Sequence, residues 1–318
     1  MATNSQLTLI ADVAALRIED YNLTELQADI DGIVRPSPDP SNIKNEFRKV
    51  AEKELHETPE ALAENIRKLR ILVEGVEGLH ARMDDIFLSA FLRGRKHNVE
   101  KAFQCVKQYY DFKAKYPDYY SYCVPSECSV VYDLGHFASI PGEDRLGRKM
   151  CGLIPAKIDL DKSPLDESFR MGTTIFEIMM EDPTLQVMGT IVIIDLAELT
   201  IMQQARLISP SLAWHLTNII QDKIPLRVKA VHVINQPFYF NAIYAVFRPF
   251  LKKKLRKRIF LHGRDMQSLH KHIDPVYLPV EWGGSRPTFN NRATRTYVRM
   301  NEHKFKEWKQ YGYKSEVN

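Results

Sequence analysis

No stretch of this 318-residue chain approaches the ~18 consecutive apolar residues that a membrane-crossing helix needs, so any bilayer contact is expected to be peripheral. The N-terminal MATNSQLTLIADVAALRIED has no basic region leading into a long apolar core, so a secretory leader is not expected. Cysteine is scarce. Cys105, Cys123, Cys128 and Cys151 show no CxxC or other metal-ligand spacing, which excludes a zinc module and argues against a disulfide scaffold. A reduced, cytoplasmic setting is the reading. Catalytic signatures are missing as well: there is no Gly-x-Ser-x-Gly elbow, HExxH pair, GxGxxG loop or Gly-Lys-Ser/Thr phosphate loop. GEDRLGRKM spaces its glycines like a phosphate loop, but no apolar strand feeds it and Met150 stands where a magnesium-binding hydroxyl is required. It reads as a hairpin. An enzyme is not expected, nor are a metal or cofactor: His270 and His272 are two apart and diverge on a helix, and His215, on an apolar stripe, reads as a satisfied core histidine or a polar group in a pocket and not as a metal ligand.

One further absence is local. From Lys223 to Arg264 there is no Asp or Glu, in a chain with 40 of them. That stretch holds 11 Lys and Arg, so the other 33 face 40 acids and the rest of the chain carries −7; the net +4 is a patch. Val228 to Ile234 reads as a buried strand. Asn235 and Gln236 before Pro237 predict the start of a helix with Pro in its first turn, and Ile243, Val246, Phe247, Phe250 and Leu251 give it one apolar face. Pro249 should end or kink it, after which LKKKLRKR continues as a cationic helix. Nucleic acid would suit the basic run, but the preceding aromatic, apolar helix and the small net charge weigh against it.

In chain order, residues 1–40 form an N-terminal segment of undetermined order that ends in the connector RPSPDPSN. Residues 41–117 form an all-helical unit. It comprises Asn42 to Glu54, Pro59 to Val73 with Thr58 as cap, a short helix capped by Asp84, and one capped by Asn98 with Ala102, Phe103, Val106 and Tyr110 inward. Residues 118–284 alternate strands (Lys149 to Ile154, Val187 to Ile194, Val228 to Ile234, Ile259 to Leu261) with helices after Pro164 and from Ser209 and Pro210. They predict an α/β fold with a mainly parallel sheet sandwiched by helices. Residues 285–318 read as a polar tail of low order toward Asn318.

INQPFYFNAIYAVFRPFL followed by KKKLRKRIFLHG and LPVEWGG resembles the lipid-exchange signature of the CRAL-TRIO lipid-binding family, in the branch of α-tocopherol transfer protein, cellular retinaldehyde-binding protein and the clavesins. The resemblance extends to DDIFLSAFLRGRKHNVEKAFQCVKQYYDFK and from GRKM at Gly147 to Gly284. It implies a carrier for a small hydrophobic lipid such as a tocopherol, retinoid or carotenoid, loaded in an apolar pocket. The implied lining is Leu153, Phe169, Thr173, Phe176, Ile194, Leu216, Ile219, Ile220 and Ile224, with Phe240 and Phe247 from a lid over residues 235–249. Gly172 and Thr173 leave that pocket few polar handles. The resemblance also implies a phosphoinositide site at Arg95, Arg227, Lys229, Lys254 and Arg258; Arg227 and Lys229 alternate with Leu226 and Val228, so both can point to one side of a strand. The expected partners are the hydrophobic ligand and an anionic membrane surface visited reversibly, with no nucleic acid, and a monomer is expected. A phosphoinositide-binding adaptor without lipid shuttling, or a phospholipid transfer protein, remains an open alternative.

Overall fold

The computed structural model describes residues 23–313. Its centre is a five-stranded sheet: β2 (Phe137–Ile140), β3 (Lys149–Leu153), β4 (Thr190–Asp195), β5 (Val228–Ile234) and β6 (Ile259–Leu261) lie side by side in that order. β2 runs antiparallel to β3, and every later pair is parallel. The antiparallel pair is the hairpin expected around GEDRLGRKM, although no local pattern had marked β2 itself. Helices cover both faces, and a helical subdomain precedes the sheet, so the α/β sandwich is as the sequence predicts.

One apolar run splits in a way periodicity did not show. Val187 to Ile194 is not a single strand: Pro183–Met188 is a helix, and β4 begins only at Thr190. Asp182 caps that helix, its Oδ1 accepting from the Thr184 amide at 2.8 Å, and Pro183 sits in the first turn. Gly189 then turns the chain at φ 77°, packed so tightly that a Cβ there would lie 2.3 Å from the Arg227 carbonyl oxygen. The remaining strand alternates. Ile191 and Ile193 bury completely against a layer containing Leu269, Leu278 and Trp282, whereas Val192 and Ile194 on the other face stay partly accessible.

The helical subdomain is built as its caps imply. Thr58, Asp84 and Asn98 each accept from the backbone amide three residues on, starting Pro59–Glu74, Asp85–Gly94 and Val99–Lys115. Ala102, Val106 and Tyr110 bury against Leu62, Ile66 and Leu69, while Phe103 is only partly buried at the edge of that cluster. The expected helix from Asn42 to Glu54 is α-helical only over Asn45–Val50. It widens into a π-turn at Ala51–Leu55 and ends at His56, whose φ of 61° is left-handed.

The two ends depart most from the sequence reading. Leu23–Ile33 is a helix whose Leu26, Ile30 and Ile33 bury against Ala293, Tyr297 and Val298 of Arg292–Met300. The expected polar tail thus carries Arg292–Met300 and Glu302–Trp308, and Phe305 and Trp308 sink into the same cluster. β7 (Gly312–Tyr313) then pairs antiparallel with β1 (Leu79–His80), tying the C-terminal segment to the helical subdomain. The signal was diluted: a few apolar residues at helical spacing lie among many charged ones, and only their packing partner, distant in sequence, gives them a core. Residues 1–22 and 314–318 of these two segments lie outside the described residues.

Trp308 is 4% exposed and stacks under the Arg82 guanidinium, 4.2 Å from its ring centre. Trp308→Ala should therefore lower the unfolding free energy by about 3 kcal/mol, within the range for large-to-small aromatic changes in cores. Urea denaturation measures it; a change below about 0.5 kcal/mol, as for an ordinary surface substitution, would show that this segment is not part of the fold's core.

Candidate lipid-binding cavity and cationic cluster

Val192 and Ile194 stay accessible because they face a cavity of about 350 Å³. Its floor is the sheet, with Leu153 of β3, Ile194 of β4, and Val231 and Val233 of β5. One wall is the helix Leu165–Met179. Phe169, Thr173 and Phe176 fall at i, i+4 and i+7 there and share the inward face. The opposite wall is Pro210–Asn218 with its π-turn continuation Ile219–Lys223, contributing Leu216, Ile219 and Ile220, followed by Ile224. All eleven residues named from the sequence line this one cavity, Phe240 and Phe247 among them.

The roof is the helix Phe240–Phe247, in which no residue is buried. Phe240, Ile243, Tyr244 and Phe247 face the cavity, at i, i+3, i+4 and i+7. The apolar face is thus rotated from the predicted one, since Val246 and Phe250 do not line the cavity while Leu251 does. Pro237 also stands outside the helix, in a turn whose carbonyl accepts from the Phe240 amide at 2.9 Å. Pro249 ends the helix as expected, in the 3-10 turn Arg248–Phe250, and the cationic helix beyond it is a single turn, Lys253–Arg256. Few polar ties hold this roof. At its start Gln204 Nε2 donates to the Tyr239 hydroxyl at 3.0 Å; at its end Gln221 donates to the Phe250 carbonyl at 3.0 Å and accepts from the Lys252 amide at 2.7 Å.

Asn235, at the hinge between β5 and the roof, has φ 54°, and its Nδ2 donates to Asp195 Oδ1 at 2.8 Å. An asparagine tolerates this left-handed conformation better than most residues.

The five predicted cationic residues also converge. Arg227 and Lys229 indeed point to one side, for both reach the same oxygen, Oε2 of Glu54, at 2.7 and 2.6 Å. Burial, then the charges of Arg258, Arg227, Lys96 and Arg95, push the Lys254 ammonium below its usual range, which places these side chains within one another's field. Lys229 is lowered likewise by burial and then Arg227. Burial would raise the Glu54 carboxyl, but hydrogen bonds from Lys229 and Arg227 outweigh it and hold the group below the ordinary carboxylate range. Glu54 went unread in the sequence; nothing local distinguishes it from the other acids of its helix.

The lining residues that were missed include two polar ones. His136 and Ser168 line the cavity, and neither belongs to a periodic apolar pattern. His215, by contrast, is the core histidine it reads as, sharing a hydrogen bond with the Tyr120 hydroxyl at 2.9 Å. Among the described residues, no helix is long and apolar enough to cross a membrane and no group of His, Cys, Asp and Glu is placed to hold a metal.

The chain is similar to known proteins. The CRAL/TRIO domain profile matches residues 134–284. Clavesin-2 of Homo sapiens is 36% identical over 240 residues, which cover 74% of this chain and 73% of that one. Clavesin-1 of Rattus norvegicus is 34% identical over 74% of this chain and 68% of its own length. The solved structure titled "Crystal structure of Sfh5" aligns with TM-score 0.49 at 12% identity, covering 82% of this chain and 98% of that one. The chain belongs to the CRAL-TRIO family of lipid-binding transfer proteins, and within it is similar to the clavesins.

Burial alone pushes the His136 imidazole down to about 4, below the ~6.5 of a free histidine. Above both values the ring is neutral whether the chain is folded or not. Between them the unfolded chain binds a proton that the folded one refuses, so stability should fall as pH drops from about 6.5 to about 4 and no further on this account. His136→Leu should make that part of the profile shallower in denaturant titrations run across the window, the remaining slope coming from His232 and the other histidines that burial lowers.

Proposed function

We propose that this chain carries a small hydrophobic lipid in the cavity, without a resident cofactor, and exchanges it at membranes that display phosphoinositides. The observation that carries the reading is the adjacency of an apolar cavity, a helix roofing it through few polar ties, and a convergent cationic cluster. A lipid with roughly twenty buried carbons, at ~0.8 kcal/mol each, faces on the order of 15 kcal/mol against release into water. A bilayer is as apolar as the cavity. Opening there makes transfer nearly balanced, and the rate becomes a matter of gating.

The roof helix is the gate in this reading. Closed, its Phe240, Ile243 and Phe247 face the ligand; open, they face acyl chains. Phe238, 97% exposed, stands just before it, and Ile201 and Met202 are exposed on the neighbouring helix that the Gln204–Tyr239 bond joins to the roof. These three side chains supply the apolar contact with the membrane. The cations, which lie toward the other end of the roof, would dock on anionic lipid at ~1 kcal/mol each near the surface, less as salt rises. A phosphorylated headgroup would take the place that the Glu54 carboxylate holds on Arg227 and Lys229, with two or more charged oxygens exchanged for one.

Two substitutions separate the roles. Lys254→Glu with Arg258→Glu should lower binding to phosphoinositide vesicles by on the order of a hundredfold, since two docking charges are lost and two repulsive ones gained, while loading of ligand in solution stays intact; equal loss of both would contradict two distinct sites. Phe247→Asp should slow lipid transfer between vesicles at least about tenfold, because a carboxylate in the acyl region is costly, with little change in the thermal midpoint. Transfer at the unaltered rate would remove the gate from this reading. Protein purified from its own tissue, analysed by native mass spectrometry and organic extraction, should carry one lipid class.

A further inference from the structure

The roof is the crossover between two neighbouring strands: residues 235–258 leave the end of β5 and return to the start of β6. β6 is the edge of the sheet and only three residues long. Its register sets Val231 opposite Ile259, His232 opposite Phe260 and Val233 opposite Leu261. Two amides extend this seam: His262 donates to the Val233 carbonyl at 3.0 Å, and Asn235 to the Gly263 carbonyl at 2.6 Å. One short seam therefore holds both ends of the roof segment, with Arg227 and Lys229 on one side of it and Lys254 and Arg258 on the other.

Two buried histidines close the seam on the side away from the cavity. His232 Nδ1 and His262 Nε2 share a hydrogen bond at 2.9 Å, and His262 Nδ1 shares another with the Ser268 hydroxyl at 2.9 Å. The His232 ring stacks on Phe260, with 5.2 Å between centres. One N–H between two facing nitrogens suits a neutral pair; with both rings fully protonated, two N–H groups meet head on and the bond is lost. The surroundings answer a first charge poorly. His272 lies 5.2 and 5.7 Å from the two rings, Arg148 before β3 opposes a proton on His232, and Asp265, which favours one on His262, is exposed. β4 sets the apolar Ile193 opposite His232, its Asp195 is committed to Asn235, Ala197 and Trp282, and His270 is tied to the Trp282 carbonyl. Burial, then His262 and His272, hold the His232 ring down at about 3, and burial lowers His262 as well. Rings freed from the seam return to ~6.5.

We propose that the His232–His262 bond is an acid-sensitive clasp at the base of the roof: parting β6 from β5 takes up protons that the closed seam refuses, so mild acid releases the roof. Above ~6.5 both states are neutral and the clasp is intact; below it, down to the lowered values of the closed pair, each proton taken up favours the open seam. At about one pH unit below 6.5 each freed ring contributes roughly elevenfold, so opening rises by as much as about a hundredfold for the pair. The inference rests on the roof being the gate of the proposed carrier and adds what regulates that gate.

Hydrogen exchange of the full chain, read by mass spectrometry at about pH 7.5 and about pH 5.5 and corrected for the intrinsic pH dependence of exchange, tests the clasp without any lipid. Residues 231–235, 259–263 and the roof over 240–251 should lose protection together in acid, by on the order of tenfold or more, while residues 191–193 of β4 stay protected. His232→Phe with His262→Gln keeps a ring against Phe260 and an amide toward Ser268, and should abolish that change. Should the double variant not fold, His262→Gln alone should cut the change at least about threefold. Equal loss of protection in β4, a seam that loosens while the roof does not, or a variant as acid-sensitive as wild type overturns the proposal. Transfer of a fluorescent tocopherol between phosphatidylcholine vesicles, whose charge does not titrate in this range, should likewise be faster in acid for wild type and not for the variant; wild-type transfer at one rate in both conditions also overturns it. A chain that moves no probe at either pH counts against the carrier reading, and the exchange result then decides the clasp by itself.

Discussion

Asp195 is the point on which the architecture turns. It closes β4, is 6% exposed, and distributes its carboxylate three ways: Oδ1 accepts from the Asn235 side chain at 2.8 Å and the Ala197 amide at 2.9 Å, and Oδ2 accepts from the Trp282 indole at 2.8 Å. A buried carboxylate survives only when such donors surround it. Those donors belong to the loop after β4, the hinge at the end of β5, and the layer behind the sheet. One charged group therefore ties the sheet's carboxyl edge, the back layer and the start of the roof together in a single arrangement.

The molecule is in consequence divided into firm and loose parts. The sheet and its back layer are sealed by complete burial of Ile191, Ile193, Leu278 and Trp282. The roof has no buried residue of its own and is held by amide side chains at its two ends. Neutral hydrogen bonds of this kind contribute roughly 1 kcal/mol each, so opening the roof costs far less than disturbing the sheet. A carrier needs this inequality. In the proposed cycle the ligand's apolar surface completes the closed state, and an acyl layer completes the open one.

The cationic cluster answers a separate problem. Arg227, Lys229, Lys254 and Arg258 are crowded enough that burial and mutual repulsion lower the lysines, and the Glu54 carboxylate relieves only part of that. Glu54 is presented by a π-turn between Asn45–Val50 and the left-handed His56, with Leu55 wholly buried beside it, so the helical subdomain itself supplies the counter-charge. In the proposed cycle a polyphosphorylated headgroup replaces that carboxylate. The strand that carries Arg227 and Lys229 leads without interruption to Asn235, the hinge of the roof.

Much of this was legible in the residues. Caps at Thr58, Asp84 and Asn98, the β-branched run of β5 and the acid-free stretch after Lys223 each carry a local physical signal, and the resemblance of that stretch to a known family named the eleven lining positions and five cations that the fold brings together. Signals that depend on a distant partner were not legible. Arg292–Met300 and Glu302–Trp308 look polar until Leu23–Ile33 lies against them; Gly189 divides an apolar run only because the Arg227 carbonyl presses on it; Glu54 is one acid among many until β5 arrives beside it. His136 and Ser168 show the limit most clearly, since being unpaired is a property of surroundings and not of sequence. Local free energies of capping, turn and periodicity are written along the chain, so the sequence by itself determined the elements that carry such local signals, and their order. Which faces meet, which charges are answered and which polar atoms are left over depend on contacts between residues far apart in the chain, and those only the tertiary structure decided.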